Sequence, residues 1–441
     1  MTMNGSNTNA NLQHNEENRN QENRNQESKD KEKKDKVVVG IIGVAGRGFD
    51  AHLKTFSAFP DVEIGAVCDV YQPNLDRAVA YTGGKAKAYH SYHDLIADPA
   101  IDAVIVATPP HWHALMTLDA LAAGKDVYCE KPMCRFPIEG KLMADYAQRY
   151  GCITQVGTQI HATENYHKCV DVVRSGALGK ITIVRNLCAM NDDSEGLGTP
   201  PDTEPPTGLD WESWLGPAPT TPFNPGRFRD GMHRYFKDYV DSWLHELGPH
   251  IVDLPFWALE LGCPTAVTAS GGRYATESIA DVPDTMQVTW EWPGLLMTWE
   301  MMQSSSFNFG VGQPGGGRKL GILFHGKEGT LIANYGLCQV LDRSGKLVEG
   351  AAYPQAEPRS PGHEREFIDG VKTRTECSCS FAKHLPLHTA LNLAHAAMKL
   401  GRRLQWDEAK WEVVGDAEAN ALLTPQYRAP YKLPDPMENK K

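Results

Sequence analysis

A short apolar run, VVVGII at 37 to 42, breaks directly into Gly43-Val44-Ala45-Gly46-Arg47-Gly48, and few folds accommodate that junction. The run has the length and composition of a buried parallel strand, and the glycine spacing is that of a strand-to-helix turn. Glycine at such a turn permits positive φ and close approach of the backbone to a pyrophosphate. The phosphate charge is then met by the free N–H groups that open the next helix. Gly43, Ala45, Gly46, Arg47 and Gly48 are therefore the first candidates for cofactor contact. Ala45 stands where a middle glycine is usual, and its methyl group narrows the approach.

The next strand, VEIGAVCDV at 62 to 70, ends in Asp69, at the distance where an acidic residue meets the adenosine ribose. A carboxylate accepts hydrogen bonds from both ribose hydroxyls and repels a 2'-phosphate, which points to NAD rather than NADP. A further strand-turn-helix unit, DAVIVATPPHWHALMTLDALAAG at 102 to 124, carries Thr108, Pro109 and His113 to the same sheet edge. After it DVYCEKP at 126 to 132 runs a strand into Glu130-Lys131-Pro132. Trp112, between His111 and His113, is placed to cover a cofactor or to pack.

The strings GVAGRG, AVCDV, ATPPHWHA, GKDVYCEKP, QVGTQ at 155 to 159 and ELGPHIVDL at 246 to 254 resemble the Gfo/Idh/MocA oxidoreductases, which include glucose-fructose oxidoreductase and inositol dehydrogenase. The resemblance covers nearly everything after residue 36, and the tail GRRLQWDEAKWEVVGDAEANALL is similar to a large bacterial subgroup whose members mostly lack an assigned substrate. It implies an α/β chain: an N-terminal Rossmann dinucleotide-binding domain and a C-terminal α/β domain with a large open, mostly antiparallel sheet. It also implies NAD contacts at Thr108, Pro109, His113, Glu130 and Lys131, with Pro132 commonly cis. In this family the lysine points at the reacting hydroxyl, and an ammonium there lowers the pKa of the alcohol.

His250 matches the histidine of the family's D-x-G-x-H-x-x-D motif, here Glu246 to Asp253, and is the expected base for the hydroxyl proton. A helix beginning near Glu246 puts residues 246 and 250 on one face, tolerates Pro249 in its first turn, and disfavours the imidazolium at its N-terminus. Most relatives have aspartate where this chain has Glu246, whose role is orienter or proton relay. His161, Asn165, Tyr166 and His245 fall where relatives place substrate contacts.

Composition sets the bounds. With 441 residues, 41% hydrophobic and 22% charged, the chain is too long for one ordinary core and normal for a globular protein. The expected division is a polar tail over 1–36, a NAD-binding domain over 37–157 and a substrate-binding and oligomerisation domain over 158–441. The tail, rich in Asn, Gln, Glu and Lys with ENRNQ in tandem, cannot bury enough apolar area to offset its ordering entropy. A formal charge of -11 argues against nucleic-acid binding. No stretch reads as a transmembrane segment, the N-terminus lacks the order of a secretory signal, and the expected location is cytoplasmic. The ten cysteines lack C-x-x-C spacing, so neither a metal site nor a disulfide framework is expected.

After residue 157 the pattern changes. A helix at TENYHKCVDVVRSG and a proline-rich connection at 199 to 226 precede alternating apolar runs, among them a hairpin turning at Pro293-Gly294. The family's open sheet usually packs against another subunit, which implies a homo-oligomer. The function expected is NAD-dependent hydride transfer at a secondary carbon of a sugar, polyol or glycoside. One alternative is a redox-neutral glycosidase or lyase with tightly bound NAD, acting by transient ring-carbon oxidation and elimination; LHELGP at 244 to 249 is similar to the HGLGP of such glycosidases. The other is a non-catalytic NAD and sugar sensor, against which the retention of Lys131 and His250 argues.

Overall fold

The computed structural model describes residues 36–190, 196–228, 231–305 and 319–435. The polar tail lies, Lys36 apart, outside the described residues.

VVVGII forms β1 (Val37–Ile42), the centre of a six-stranded parallel sheet whose other members are β2 (Val62–Cys68), β3 (Lys87–Tyr89), β4 (Ala103–Val106), β5 (Asp126–Glu130) and β6 (Thr154–Gly157). The order is β3-β2-β1-β4-β5-β6, so the chain reverses its direction of travel across the sheet beside β1. A crevice opens at such a point beyond the carboxyl ends of the strands, where open α/β sheets bind ligands. The central strands are buried on both faces, as their unbroken runs of Val, Ile and Ala require.

The second half builds a nine-stranded sheet. Its strands are β7 (Ile181–Ala189), β8 (Ala266–Gly272), β9 (Thr285–Trp292), β10 (Leu295–Met302), β11 (Lys319–Gly326), β12 (Gly329–Ala333), β13 (Cys338–Asp342), β14 (Leu404–Asp407) and β15 (Glu412–Val413). All pairs are antiparallel except β7 with β10. The hairpin at Pro293-Gly294 joins β9 to β10 as expected, with Gly294 at φ 81. Alternation decides the buried face: Met286, Val288 and Trp290 on β9 pair with Met301, Trp299 and Met297 on β10, and all six point into the core. Fully burying such a side chain stabilises by about 1.5–3 kcal/mol. Opposite them pack α1 (Glu164–Arg174), α2 (Trp243–Ile251), α3 (Asp253–Leu259) and α4 (Phe381–Leu400). Trp290 donates its indole N–H to the Ala390 carbonyl at 2.8 Å, which fixes the sheet against α4.

Two local expectations are corrected. The turn after β1 enters a π-helical segment, Gly48–Leu53, before settling into α geometry. The helix carrying His250 begins at Trp243, capped by the Ser242 hydroxyl, and not near Glu246. Pro249 therefore lies inside that helix and His250 in its last turn. A helix C-terminus favours an imidazolium, so the proposed N-terminal effect has the wrong sign here.

Candidate active site

A cleft of about 1210 Å³ runs from the glycine turn to α2. At one end Gly43 takes φ 84, and a Cβ there would stand 2.8 Å from the Ala107 carbonyl oxygen. A Cβ on Gly48 would fall 1.8 Å from the Gly43 oxygen, so no other residue closes this turn. Ala45, Gly46 and Arg47 line the cleft beside it. Asp69, at the end of β2, accepts hydrogen bonds from the Val44 and Tyr71 backbone N–H groups at 2.9 and 3.0 Å, which hold the glycine turn and the carboxylate in fixed relation. Burial pushes the Asp69 carboxyl up in pKa, against those hydrogen bonds. Glycine turn, switch-point crevice and carboxylate fit a dinucleotide with its ribose at Asp69.

Thr108 and Pro109 line the same cleft. His113 does not; it is buried, with ring nitrogens 2.7 Å from the Pro132 carbonyl oxygen and 2.8 Å from that of Thr108, and it ties the turn after β4 to the cis Lys131-Pro132 peptide. Glu130, though largely buried, lines the cleft. Its Oε1 accepts from Arg47 Nε at 2.9 Å and lies 2.8 Å from His52 Nε2. Burial opposes its ionisation, yet the His52 hydrogen bond and the Arg47 charge hold its pKa well below the usual carboxylate range. Gln159, beside it, adopts φ 52, a left-handed backbone uncommon for a residue with a side chain.

Lys131 projects from the end of β5 into the middle of the cleft. Its Nζ stands 2.7 Å from Glu246 Oε1 and donates to the Glu246 backbone carbonyl at 3.2 Å. Glu246 is buried, and although burial works against its charge, Lys131 and Arg234 lower its pKa to about 2. The carboxylate thus serves the lysine and not His250. His250 lies one turn on, with its Nδ1 buried and unpartnered, and burial followed by the Lys131 charge lowers its pKa to about 4. A neutral imidazole beside an ammonium is the arrangement a hydroxyl proton needs.

Of the substrate candidates, none lines this cleft. His161 Nε2 lies 3.3 Å from Asp253 Oδ1, with the imidazole stacked on Trp257. Asn165 donates to the Asn334 and Leu337 carbonyls and clamps the β12–β13 turn. Tyr166 is fully buried against Tyr335. His245, also buried, contacts the Val240 carbonyl and Asn392. Apart from His161 Nδ1, which is buried without a partner, the groups that would meet a ligand in this cleft are engaged elsewhere in the fold.

The cleft instead receives His233 and Arg234 from a 3-10 turn at Met232–Tyr235, reached through Gly231 at φ 75. Arg234 Nη2 is 3.6 Å from Glu246 Oε1, and burial with the Arg234 charge lowers the His233 pKa to about 3. Trp214, from the proline-rich connection, also lines it, and its carbonyl accepts from Trp112 Nε1 at 3.1 Å. This segment lacks strand or helix periodicity, so the only signal was its density of aromatic and basic residues.

Two family profiles match: the NAD-binding Rossmann fold of the oxidoreductase family over residues 37–158, and its C-terminal alpha/beta domain over 168–268 and 322–433. The chain belongs to the Gfo/Idh/MocA oxidoreductase family, and its cofactor is NAD. A glycosyl hydrolase family 109 protein of Shewanella baltica is 35% identical over 161 residues, which is 33% of this chain and 33% of that protein. Among solved structures, levoglucosan dehydrogenase in complex with NADH and levoglucosan superposes with a TM-score of 0.62 at 19% identity, covering 84% of this chain and 99% of the other. The WlbA dehydrogenase from Bordetella pertussis, in complex with NADH and UDP-GlcNAcA, gives 0.64 at 18%, over 84% and 99%. Among the described residues no helix is long and apolar enough to cross a membrane.

Proposed function

We propose that this protein oxidises or reduces one secondary carbon of a sugar, polyol or glycoside with NAD as the hydride carrier. The observation that carries this reading is Lys131, paired with Glu246, in the cleft that His250, the glycine turn and Asp69 also line. NAD, when bound, takes up or returns the hydride. Lys131 lies against the reacting hydroxyl and favours alkoxide character there. Glu246 holds the ammonium in place, while His250, kept neutral by its partial burial and by the Lys131 charge, accepts the hydroxyl proton. A positioned base of this kind contributes ~10² to 10⁴ in rate. Asp69 favours NAD over NADP by meeting the ribose hydroxyls. Thr108, Pro109 and Arg47 border the cofactor, and His233 and Arg234 border the sugar.

A second reading, a glycosidase or lyase that retains NAD and returns the hydride within each cycle, is supported by the match to the Shewanella hydrolase protein. Denaturing the purified protein and weighing what it releases separates the two. NAD near one per chain, with no net reduction of added cofactor by a sugar panel, supports the retained-cofactor reading. An empty site, with reduced nicotinamide accumulating on one sugar, supports the dehydrogenase. Protein that binds NAD and sugar yet changes neither is a sensor and refutes both. We further propose that copies associate through the open sheet, where Ile183 and Leu296 are exposed side by side on β7 and β10. The divisions at 36 and 157 and a cytoplasmic location belong to the same proposal.

A further inference from the structure

Outside the residues that line the cleft, three segments distant in sequence bring metal-binding side chains together. His161 follows β6, Asp253 opens α3, and Cys379 and His384 flank the start of α4. The Cys379 turn is fastened to β6, since its carbonyl accepts from Val156 N at 2.8 Å and the Phe381 N–H donates to Thr154 Oγ1 at 3.2 Å. One donor atom each from His161, Cys379 and His384 lies within 4.8 Å of the other two, and all three residues are buried.

The hydrogen bonding around Asp253 determines which nitrogens are available. His161 Nε2 lies 3.3 Å from its Oδ1 and His384 Nε2 3.1 Å from its Oδ2, while Thr158 donates to Oδ2 at 2.9 Å. A carboxylate accepts only, so each Nε2 carries a proton and, in the neutral ring, each Nδ1 keeps a lone pair. Both Nδ1 atoms are buried without a hydrogen-bond partner. Unpaired buried acceptors are uncommon and call for an occupant. A carboxylate that takes one N–H of an imidazole while the other nitrogen binds metal is the usual arrangement behind metal-ligating histidines.

We propose that His161, His384 and the Cys379 thiolate hold a divalent, thiolate-binding metal of the Zn²⁺ class, oriented by Asp253. Two imidazoles and a thiolate suit zinc, and a water completes the tetrahedron. At zinc bond lengths of about 2.0–2.3 Å the donors stand roughly 3.4–3.6 Å apart, so the side chains draw together on binding. The metal displaces the thiol proton. Thiolate and Asp253 together balance its charge, which suits a buried site. The site ties β6 and the start of α4 to α3, which lies directly after the helix bearing His250. Spacing in the sequence excluded the usual C-x-x-C pattern, but donors drawn from three segments leave no such pattern.

The test uses the full chain. It is incubated with zinc sulfate, dialysed against metal-free buffer and analysed for metal; a parallel sample is loaded with Co²⁺ and read for thiolate-to-cobalt charge-transfer absorption. About one zinc per chain and a thiolate band are expected. Cys379→Ser should lose the band, and Asp253→Asn should weaken zinc binding by about 10–100-fold. Circular dichroism checks that the variants fold; should either fail to, the wild-type cobalt spectrum still decides. Wild-type protein that retains no zinc and shows no cobalt–thiolate band overturns the proposal, as does a band undiminished in folded Cys379→Ser.

Discussion

Lys131 Nζ and Glu246 Oε1 are 2.7 Å apart, and that pair lines the same cleft as the glycine turn and His250. It joins the end of a Rossmann strand to a helix of the second sheet's layer. The pair therefore holds the two halves of the cleft in register, and in the proposed mechanism it also sets the charge felt by the reacting hydroxyl.

Lys131→Met keeps most of the bulk and removes the charge. Turnover on an identified substrate should fall by ~10² or more, while NAD affinity changes little because the glycine turn and Asp69 are untouched. Steady-state kinetics with a binding titration checks this. Unchanged turnover would remove Lys131 from the mechanism.

The pH profile follows from His250. With its pKa lowered to about 4 by burial and by Lys131, kcat/KM should lose its acid limb near pH 4. Lys131→Met removes a repelling cation and should move that limb up. Glu246→Gln removes a nearby anion that favours the imidazolium and should move it down. A limb unmoved in both variants would mean that another group is the base.

Glu246 also links stability to pH. Its folded pKa of about 2 lies below the ordinary 4.5, so its contribution is complete above 4.5 and is lost as pH falls through about 2. Urea unfolding should show wild-type stability falling more steeply across that window than in Glu246→Gln. Parallel curves would place the carboxylate's favourable interactions elsewhere.

The cofactor end was the most legible part of the sequence, because strand, glycine turn and strand-end aspartate are local patterns whose period and spacing carry their meaning. Lys131 and His250 were legible for the same reason, each lying in a contiguous string. The partner of Glu246 was not. Helical spacing suggested His250, but the helix starts at Trp243 and the carboxylate turns to a lysine 115 positions away. His161, Asn165, Tyr166 and His245 carry polar groups that sequence cannot distinguish from ligand contacts. Their partners, Asp253, Asn334, Tyr335 and Asn392, are set by tertiary packing. His233 and Arg234 reach the cleft on an irregular turn with no periodicity to read.

Asp69 should make the protein selective. At a hundred times its dissociation constant NAD adds ~2.7 kcal/mol if it binds only the folded state, a melting shift of ~3 °C for a chain this size. NADP should give none. Asp69→Ala should narrow the difference between the two, and equal shifts from both cofactors in the wild type would refute the role of Asp69.

The central claim, hydride transfer at a secondary carbon assisted by Lys131, is tested most directly with a consumed sugar carrying deuterium at the reacting carbon, followed by mass analysis of the nicotinamide from quenched enzyme. Deuterium should reach the ring in the wild type, whether the hydride is later kept or returned, and transfer in Lys131→Met should be slower by ~10² or more. Product forming with no deuterium in the nicotinamide at any time, or transfer at an unchanged rate in the variant, would contradict the account.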